Sequence, residues 1–433
     1  MLIAVVLQPG CEAAQALTVE HVGPVTSVAA PEFPPLTPPP FAEIAPWFVY
    51  HDGSYRYFVT TDRTYECTTP DSLLGAAVNC RRDRTGLVTE AEADRFDSAA
   101  LIPPGTAYKR DYEGVFAAQL IGGTLVAIDH GENKNEIRPE LIDGRVTQVR
   151  YHNTVQPRDT SCWSGLIGGV YRDCNRDYYA FIADSTASAR PATAAWRDHG
   201  PILWPRDGYL RSGGAKASWG VRHPYSIVAG GYLYVFYLDT GSARRDPSGL
   251  PTQGVGAGIA VARSPAKDLG RPGTFETWDG RRGWLPALPR GFTAGDERHY
   301  FDRPGGPSVA LLSAGRGSYY FAVARIEHPS RWRYLALEHY SVANSRSCRG
   351  RGTSLQDALW ESNDLIHWHH PTPIPQLTSC GADQPTAYAN SRLRFPHFLD
   401  ATGTRDQVID PASFYLNGTS ATGITLVHMS VAP

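Results

Sequence analysis

Residues 224–238 read Pro224-Tyr-Ser-Ile-Val-Ala-Gly-Gly-Tyr-Leu-Tyr-Val-Phe-Tyr-Leu238, and this stretch decides the fold prediction. An apolar run reaches a Gly-Gly pair and continues as a second run rich in aromatic and β-branched residues, which predicts a β-hairpin. The pattern recurs in five further stretches, of which the last is degenerate: 48–59, 119–128, 170–182, 309–324 and 414–428. Such a recurrence predicts a single repeat architecture.

A second element follows several of these hairpins and contains a strand, a turn and a tryptophan. It occurs at 194–203, at 258–264 continuing to 275–278, and at 359–368. A hairpin, a third strand and a tryptophan-bearing fourth strand make one propeller blade. We therefore predict an all-β protein, a five-bladed β-propeller of four-stranded antiparallel blades. A six-bladed propeller and a multi-strand sandwich are the alternatives.

Composition supports a folded, turn-rich chain. Of the 433 residues 42% are hydrophobic and 11% aromatic, enough for a substantial core, while 42 Gly and 34 Pro indicate frequent turns and argue against long helices. The net charge of −2 excludes a general nucleic-acid binder, which needs a basic excess, and suits a neutral sugar as partner.

The N-terminal region predicts export. An apolar start at residues 1–7 is followed by Ala14-Gln15-Ala16, which fits an A-x-A cleavage site, although the basic region of a signal peptide is missing. We predict a truncated signal segment at 1–16, a Pro-rich tether at 17–46 and the propeller at 47–433. No apolar run is long enough to span a membrane. The leader leads us to expect a secreted or periplasmic protein.

Cysteine usage agrees with export. Removal of the leader takes away Cys11 and leaves six cysteines in neighbouring pairs, which we predict to form disulfides: Cys67 with Cys80, Cys162 with Cys174, and Cys348 with Cys380. Six cysteines allow 15 connectivities, and six buried free thiols in a cytosolic protein are the alternative.

Three segments resemble the five-bladed β-propeller glycosidases of the arabinanase/xylosidase and invertase types. Residues 224–237 followed by 259–264 are similar to a blade of that family, and 361–368 is similar to its outer-strand motif of Ser, an acidic turn and Trp. The resemblance covers roughly residues 45–430 and implies glycoside hydrolysis in a divergent member. The family carries a catalytic Asp just before the first inner strand, where this chain has Ala45.

Propeller geometry predicts where a site forms, because the start of the first strand and the end of the second lie on one face around the central channel. A glycosidase needs two carboxyl groups, one acid and one base or nucleophile. We expect that pair to come from Asp111, Glu113 and Glu132. The predicted sugar-binding residues flank the same hairpins: Asp129, His130, Asn133, Arg222, His223, Asp302 and Arg303.

Other chemistries lack their motifs. The sequence has no Gly-x-Ser-x-Gly elbow, no phosphate-binding Gly-x-x-x-x-Gly-Lys-Ser/Thr loop and no His-Glu-x-x-His helix. The cluster His367-Trp-His-His370 invites a metal site, but strand alternation divides it between two faces, so we predict no metal ligands. We expect no cofactor; a structural calcium ion is only what the family resemblance implies. The predicted partner is carbohydrate, and the predicted state a monomer. A non-catalytic glycan-binding or adhesion propeller remains the alternative function.

Overall fold

The computed structural model of the chain describes residues 17–28, 47–51, 55–59, 63–67, 80–82, 112–133, 137–142, 145–150, 166–167, 170–171, 179–188, 197–208, 218, 220–239, 258–292, 305–306, 309–312, 317–329, 331–343, 348, 352–382, 387, 390–402, 407–420 and 423–432. Regular structure in these residues is almost entirely β, and the short 3-10 helices are Ala266–Asp268 and Pro375–Leu377. None of the described residues forms a helix long and apolar enough to cross a membrane.

The chain enters the fold through strand β1 and then forms a first four-stranded antiparallel sheet. The strands are β1 (Thr18–Val28), β2 (Trp47–His51), β3 (Tyr55–Val59), β4 (Arg63–Cys67) and β5 (Cys80–Arg82). The first sheet has the order β2-β3-β4-β5, the order of an antiparallel meander.

The second sheet contains two small hairpins as insertions. Its strands and the inserted ones are β6 (Tyr112–Ile121), β7 (Thr124–Asn133), β8 (Ile137–Ile142), β9 (Arg145–Arg150), β10 (Leu166–Ile167), β11 (Val170–Tyr171), β12 (Tyr179–Ser188) and β13 (Arg197–Leu203). The sheet order is β6-β7-β12-β13, while β8-β9 and β10-β11 pair only with each other.

The third and fourth sheets are larger meanders. The third consists of β14 (Val221–Ala229), β15 (Tyr232–Asp239), β16 (Gly258–Pro265), β17 (Glu276–Trp278) and β18 (Trp284–Pro286). The fourth consists of β19 (Gly317–Ile326), β20 (Tyr334–Ala343), β21 (Thr353–Ser362) and β22 (Trp368–Pro373), and β23 (Ser379–Gly381) also pairs with β21.

The fifth sheet joins the two ends of the chain. It contains β24 (Arg394–Asp400), β26 (Phe414–Ser420) and β27 (Gly423–Ala432), whereas β25 (Val408–Ile409) pairs in parallel with β19. Strand β1 completes this sheet by pairing antiparallel with β27, from Thr18 opposite Ala432 to Val28 opposite Ile424. The tether predicted for 17–46 is therefore wrong for 17–28; residues 1–16 and 29–46 lie outside the described part.

Successive sheets pack against each other through one strand each (β2, β6, β14, β19 and β24), which is the blade arrangement of a β-propeller. Contacts run from β2 to β6, from β6 to β14, from β14 to β19 and from β19 to β24. The predicted all-β propeller is thus confirmed. The described residues form five sheets of four or more strands, and the number of blades in the whole chain stays a prediction.

Aromatic rings fill the space between sheets. Phe236 of the third sheet lies 5.3 Å from Phe321 of the fourth, and both rings meet Trp368 at 6.1 and 5.1 Å. Trp368 belongs to the predicted tryptophan-bearing strand, so its role is to pack the interface between blades.

Two hairpins turn through glycine pairs with the same backbone geometry. Gly122 and Gly230 have φ of 56°, and Gly123 and Gly231 have φ of 81°. A two-residue turn with positive φ at both positions matches the twist of the flanking strands, and glycine adopts it without strain. These pairs explain why the hairpins β6-β7 and β14-β15 were recognisable.

Two of the six predicted hairpins differ from the structure. In the stretch 170–182, Val170–Tyr171 pairs with Leu166–Ile167, and β12 joins β7 instead, as the third strand of the second sheet. In the stretch 309–324, the strand begins only at Gly317 and its hairpin partner is β20. Both errors arose because local turn signals do not reveal which strand comes next in a sheet.

One predicted disulfide is present: Cys348 bonds Cys380, 32 residues later. Strands β4 and β5 place Cys67 opposite Cys80 in register, and the side chains of that pair stay outside the description. Cys162 and Cys174 are not among the described residues.

Candidate functional site

In each of the five sheets, the strand that packs against neighbouring sheets (β2, β6, β14, β19 and β24) carries one extra residue near its beginning. The register shifts fall between Phe48 and Tyr50, Val115 and Ala117, Arg222 and Tyr225, Ser318 and Tyr320, and Arg394 and His397. A β-bulge bends the strand and redirects side chains, and bulges are frequent beside active sites. No single sequence motif marks all five bulges, although the pairs His223-Pro224 and Phe395-Pro396 signal two of the five positions.

The bulges bring four rings from four sheets into one cluster at the centre of the molecule. The rings are Phe116, His223, Tyr320 and Phe395, and we call them the central ring cluster. Their centroids are 5.9 Å apart for Phe116–His223, 4.8 Å for His223–Tyr320, 4.4 Å for Tyr320–Phe395 and 5.6 Å for Phe395–Phe116. The four contacts form a closed circuit, which lines a small apolar cavity with Pro224 and Pro396.

Two members of the central ring cluster have a strained backbone. His223 and Phe395 both have φ of 50°, and each precedes a proline, which further restricts its backbone. Non-glycine residues in this region persist only where the surrounding structure holds them, and they concentrate at functional sites. The strain therefore marks the two bulges as candidates for function.

His223 is held from both sides. Its backbone N–H donates to Nδ1 of His130 at 3.3 Å, and its own Nδ1 lies 2.9 Å from the carbonyl oxygen of Tyr319. A carbonyl oxygen only accepts, so Nδ1 of His223 carries a proton and donates this bond. His223 is half-buried, while Phe116, Tyr320 and Phe395 are buried.

The other predicted sugar-binding groups of this region are more deeply placed than His223. Asp129 is 0% exposed, His130 1% and Arg222 8%. The His130 ring packs 4.7 Å from Phe116 and 5.4 Å from His223, so in this structure it supports the central ring cluster from behind.

The candidate carboxylates of the second sheet lie next to this support. Gly114 is the ladder partner of His130, Glu113 is opposite Gly131, and Glu132 is opposite Tyr112. Glu113 and Glu132 thus occupy neighbouring rungs of the β6-β7 ladder. The side chains of Glu113, Glu132 and Asn133 are outside the description, as are all atoms of Asp111, Asp302 and Arg303.

His397, which no sequence motif marked, is a neutral histidine that also lines the cavity. It is buried, and its ring stacks on Tyr225 at 5.4 Å with an interplanar angle of 26°. Burial lowers the pKa of His397 to about 3 from 6.5, so this imidazole stays neutral in the folded protein at ordinary pH.

Buried polar pairs in the fourth sheet extend outward from Tyr320. The His339 ring stacks on Tyr320 at 5.8 Å, and its Nδ1 lies 2.9 Å from Oδ1 of the buried Asp357. On the same strand, the carboxylate of Glu338 accepts from Oγ of Ser318 at 2.6 Å and from Nε1 of Trp360 at 3.0 Å. These bonds satisfy charged or polar groups inside the sheet and hold β19 to β20 and β21.

The histidines of the outer fourth sheet bind separate partners. Nδ1 of His367 is 2.7 Å from Asp364, Nδ1 of His370 is 3.3 Å from Glu361, and the His369 ring stacks on Trp332 at 5.4 Å. In the described portion of the chain, no three His, Cys, Asp or Glu side chains are grouped as metal ligands.

No family model matches the sequence, and no curated protein does so. Solved structures are similar to the chain. An α-L-arabinofuranosidase from Lactobacillus brevis has a TM-score of 0.39 and 10% identity, covering 90% of this chain and 92% of its own. An endo-arabinase from Bacteroides thetaiotaomicron has a TM-score of 0.41 and 10% identity, covering 91% of this chain and 95% of its own. A GH32 β-fructofuranosidase from Bombyx mori has a TM-score of 0.41 and 11% identity, covering 89% of this chain and 60% of its own.

Proposed function

We propose that this chain is an exported glycoside hydrolase-like protein that cleaves an O-glycosyl bond of an oligosaccharide or polysaccharide. The site is the end of the propeller where β6, β14, β19 and β24 begin. The observation that carries the proposal is the central ring cluster, in which a half-buried, strained His223 is oriented by two hydrogen bonds. Strand starts from four blades meet there, the position at which propellers form their sites.

The chemistry we propose needs two carboxyl groups beside that histidine. One protonates the leaving oxygen, and the other activates water or attacks the sugar. Asp111, Glu113 and Glu132 are the candidates. What supports Glu113 and Glu132 is their place on the β6-β7 ladder within two rungs of His130, whose Nδ1 accepts from the backbone N–H of His223. The role proposed for His223 is to hydrogen-bond a sugar hydroxyl through its imidazole ring.

The experiment compares turnover and binding in carboxamide variants of the full chain. Aryl glycosides and neutral oligosaccharides, among them arabinobiose, β-1,2-mannobiose and sucrose, are assayed with Asp111→Asn, Glu113→Gln and Glu132→Gln. Loss of a catalytic carboxyl group lowers kcat by about 10²–10⁴-fold. Glu276→Gln in β17, in the outer part of the third sheet, is the matched control and leaves kcat unchanged.

Each outcome decides something. Activity unchanged by all three substitutions contradicts the two-carboxylate proposal. Saturable sugar binding by the wild type, weakened by His223→Asn and without turnover on any substrate, supports the glycan-binding alternative, which Ala45 at the position of the family's base favours.

A further inference from the structure

Glu361 in β21 is a fully buried carboxylate whose charge is poorly compensated. It is 0% exposed, Oε2 lies 3.3 Å from Nδ1 of His370, and Oε1 has no hydrogen-bond partner among the described residues. Burial raises the pKa of Glu361, and His370 and Arg331 lower it only in part. A buried carboxylate oxygen without a donor destabilises the folded protein, because it has lost its hydrogen bonds to water. A cation or a further N–H group beside Glu361 would remove that penalty.

Leu17, the first residue that the structure describes, lies against this carboxylate. Leu17 is 7% exposed, and its carbonyl oxygen accepts a hydrogen bond of 3.1 Å from Oγ1 of Thr372 in β22. The next residue, Thr18, begins β1 opposite Ala432. The backbone N–H of Leu17 lowers the pKa of Glu361, but this effect is the smallest of those that act on it. Leu17 is therefore fixed between the fourth and fifth sheets with its nitrogen beside Glu361.

The bond preceding that nitrogen is the predicted export cleavage site. Ala14 and Ala16 are the small residues at the third and first positions before the bond between Ala16 and Leu17. Hydrolysis adds the hydroxyl of water to the Ala16 carbonyl carbon, which becomes a carboxylate. The Leu17 nitrogen leaves as an amine and takes up a proton. A peptide nitrogen with one N–H thereby becomes an ammonium group with a positive charge and three N–H donors.

We propose that an export peptidase cleaves the Ala16–Leu17 bond and that the new α-ammonium group of Leu17 forms a buried ion pair with Glu361. The inference rests on the export part of the proposed function and is independent of hydrolysis. The pair gives the buried carboxylate a charged donor and fixes β1 at the junction of the fourth and fifth sheets. Processing thus adds an interaction that the precursor lacks.

The ion pair is tested by removing the charge of the amine without changing the chain. A protein that begins at Leu17 is released from an N-terminal fusion. One portion of the sample keeps its free amine, and the other is Nα-acetylated, which restores the single N–H of a peptide bond. Both forms are made as wild type, as Glu361→Gln and as Glu20→Gln, a matched change at an exposed carboxylate of β1. Urea unfolding at pH 7 measures the folded-to-unfolded ratio of all six proteins.

We expect acetylation to lower the folded-to-unfolded ratio of the wild type and of Glu20→Gln by about tenfold or more. In Glu361→Gln the same acetylation should change the folded-to-unfolded ratio by less than twofold. An equal loss in all three backgrounds, or none in the wild type, overturns the ion pair. Because no activity is measured, this result is separable from failure of the proposed hydrolase function.

Processing is tested on the full chain in an exporting bacterial host. The intact mass of the exported protein shows Leu17 as the first residue, and Ala16→Phe blocks that cleavage. A chain that is not exported, an exported protein that retains residues 1–16, or one that begins at a different residue overturns the proposed cleavage.

Discussion

Protonation of His397 should make the fold unusually sensitive to mild acid. The imidazole is buried in β24 against Tyr225, and its pKa is about 3 in the folded protein and 6.5 without burial. Between these two values the unfolded chain binds a proton that the folded chain does not. Stability contributed by the neutral ring is therefore fully present above pH 6.5 and is lost progressively as the pH falls towards 3.

The size of the effect follows from the two pKa values. Each pH unit below 6.5 costs about 1.4 kcal/mol of the free energy of unfolding, so the step from pH 7 to pH 5 costs about 2 kcal/mol from this residue. Other groups contribute their own pH dependence, and a variant without the titrating ring isolates the His397 part. His397→Phe keeps an aromatic ring beside Tyr225 and cannot bind a proton.

Urea unfolding followed by tryptophan fluorescence at pH 7 and pH 5 provides the measurement. The wild type should lose about 2 kcal/mol more than His397→Phe between the two pH values. His328→Gln, a change at an exposed histidine, should behave as the wild type does. Equal losses in the wild type and in His397→Phe would refute the reasoning, because the folded protein would then accept the proton as readily as the unfolded chain.

Two further predictions concern the disulfide between Cys348 and Cys380 and the pairing of β1 with β27. Replacing both Cys348 and Cys380 by Ser should lower the free energy of unfolding by about 3–4 kcal/mol, because the disulfide closes a loop with a sequence separation of 32; no stability difference between this variant and the wild type under oxidising conditions would contradict that role. Removing residues 1–28 deletes β1 and exposes the edge of β27, so we expect aggregation in light scattering and a lower thermal midpoint than in a chain lacking only residues 1–16. Equal behaviour of the two shortened chains would show that β1 is dispensable.

The sequence by itself determined the local elements of this protein. The two-residue turns at 122–123 and 230–231 have positive φ at both positions, which glycine adopts without strain. The Gly-Gly pairs alone therefore identified these two hairpins. Pairing cysteines that are neighbours in sequence favoured Cys348 with Cys380 among the 15 possible connectivities, and the structure contains that disulfide. The turn signals act within a short stretch of chain, where neighbouring residues decide the conformation.

The tertiary structure alone decided the long-range pairings and the centre of the site. The partner of β1 is β27, at the other end of the chain, and apolar alternation in β1 does not say which edge it covers. The ring contacts of His223 come from three other sheets: Phe116 and His130 of the second, Tyr320 of the fourth and Phe395 of the fifth. Bulges align these rings only after the blades pack around one axis, because the partners of a bulged residue belong to other strands.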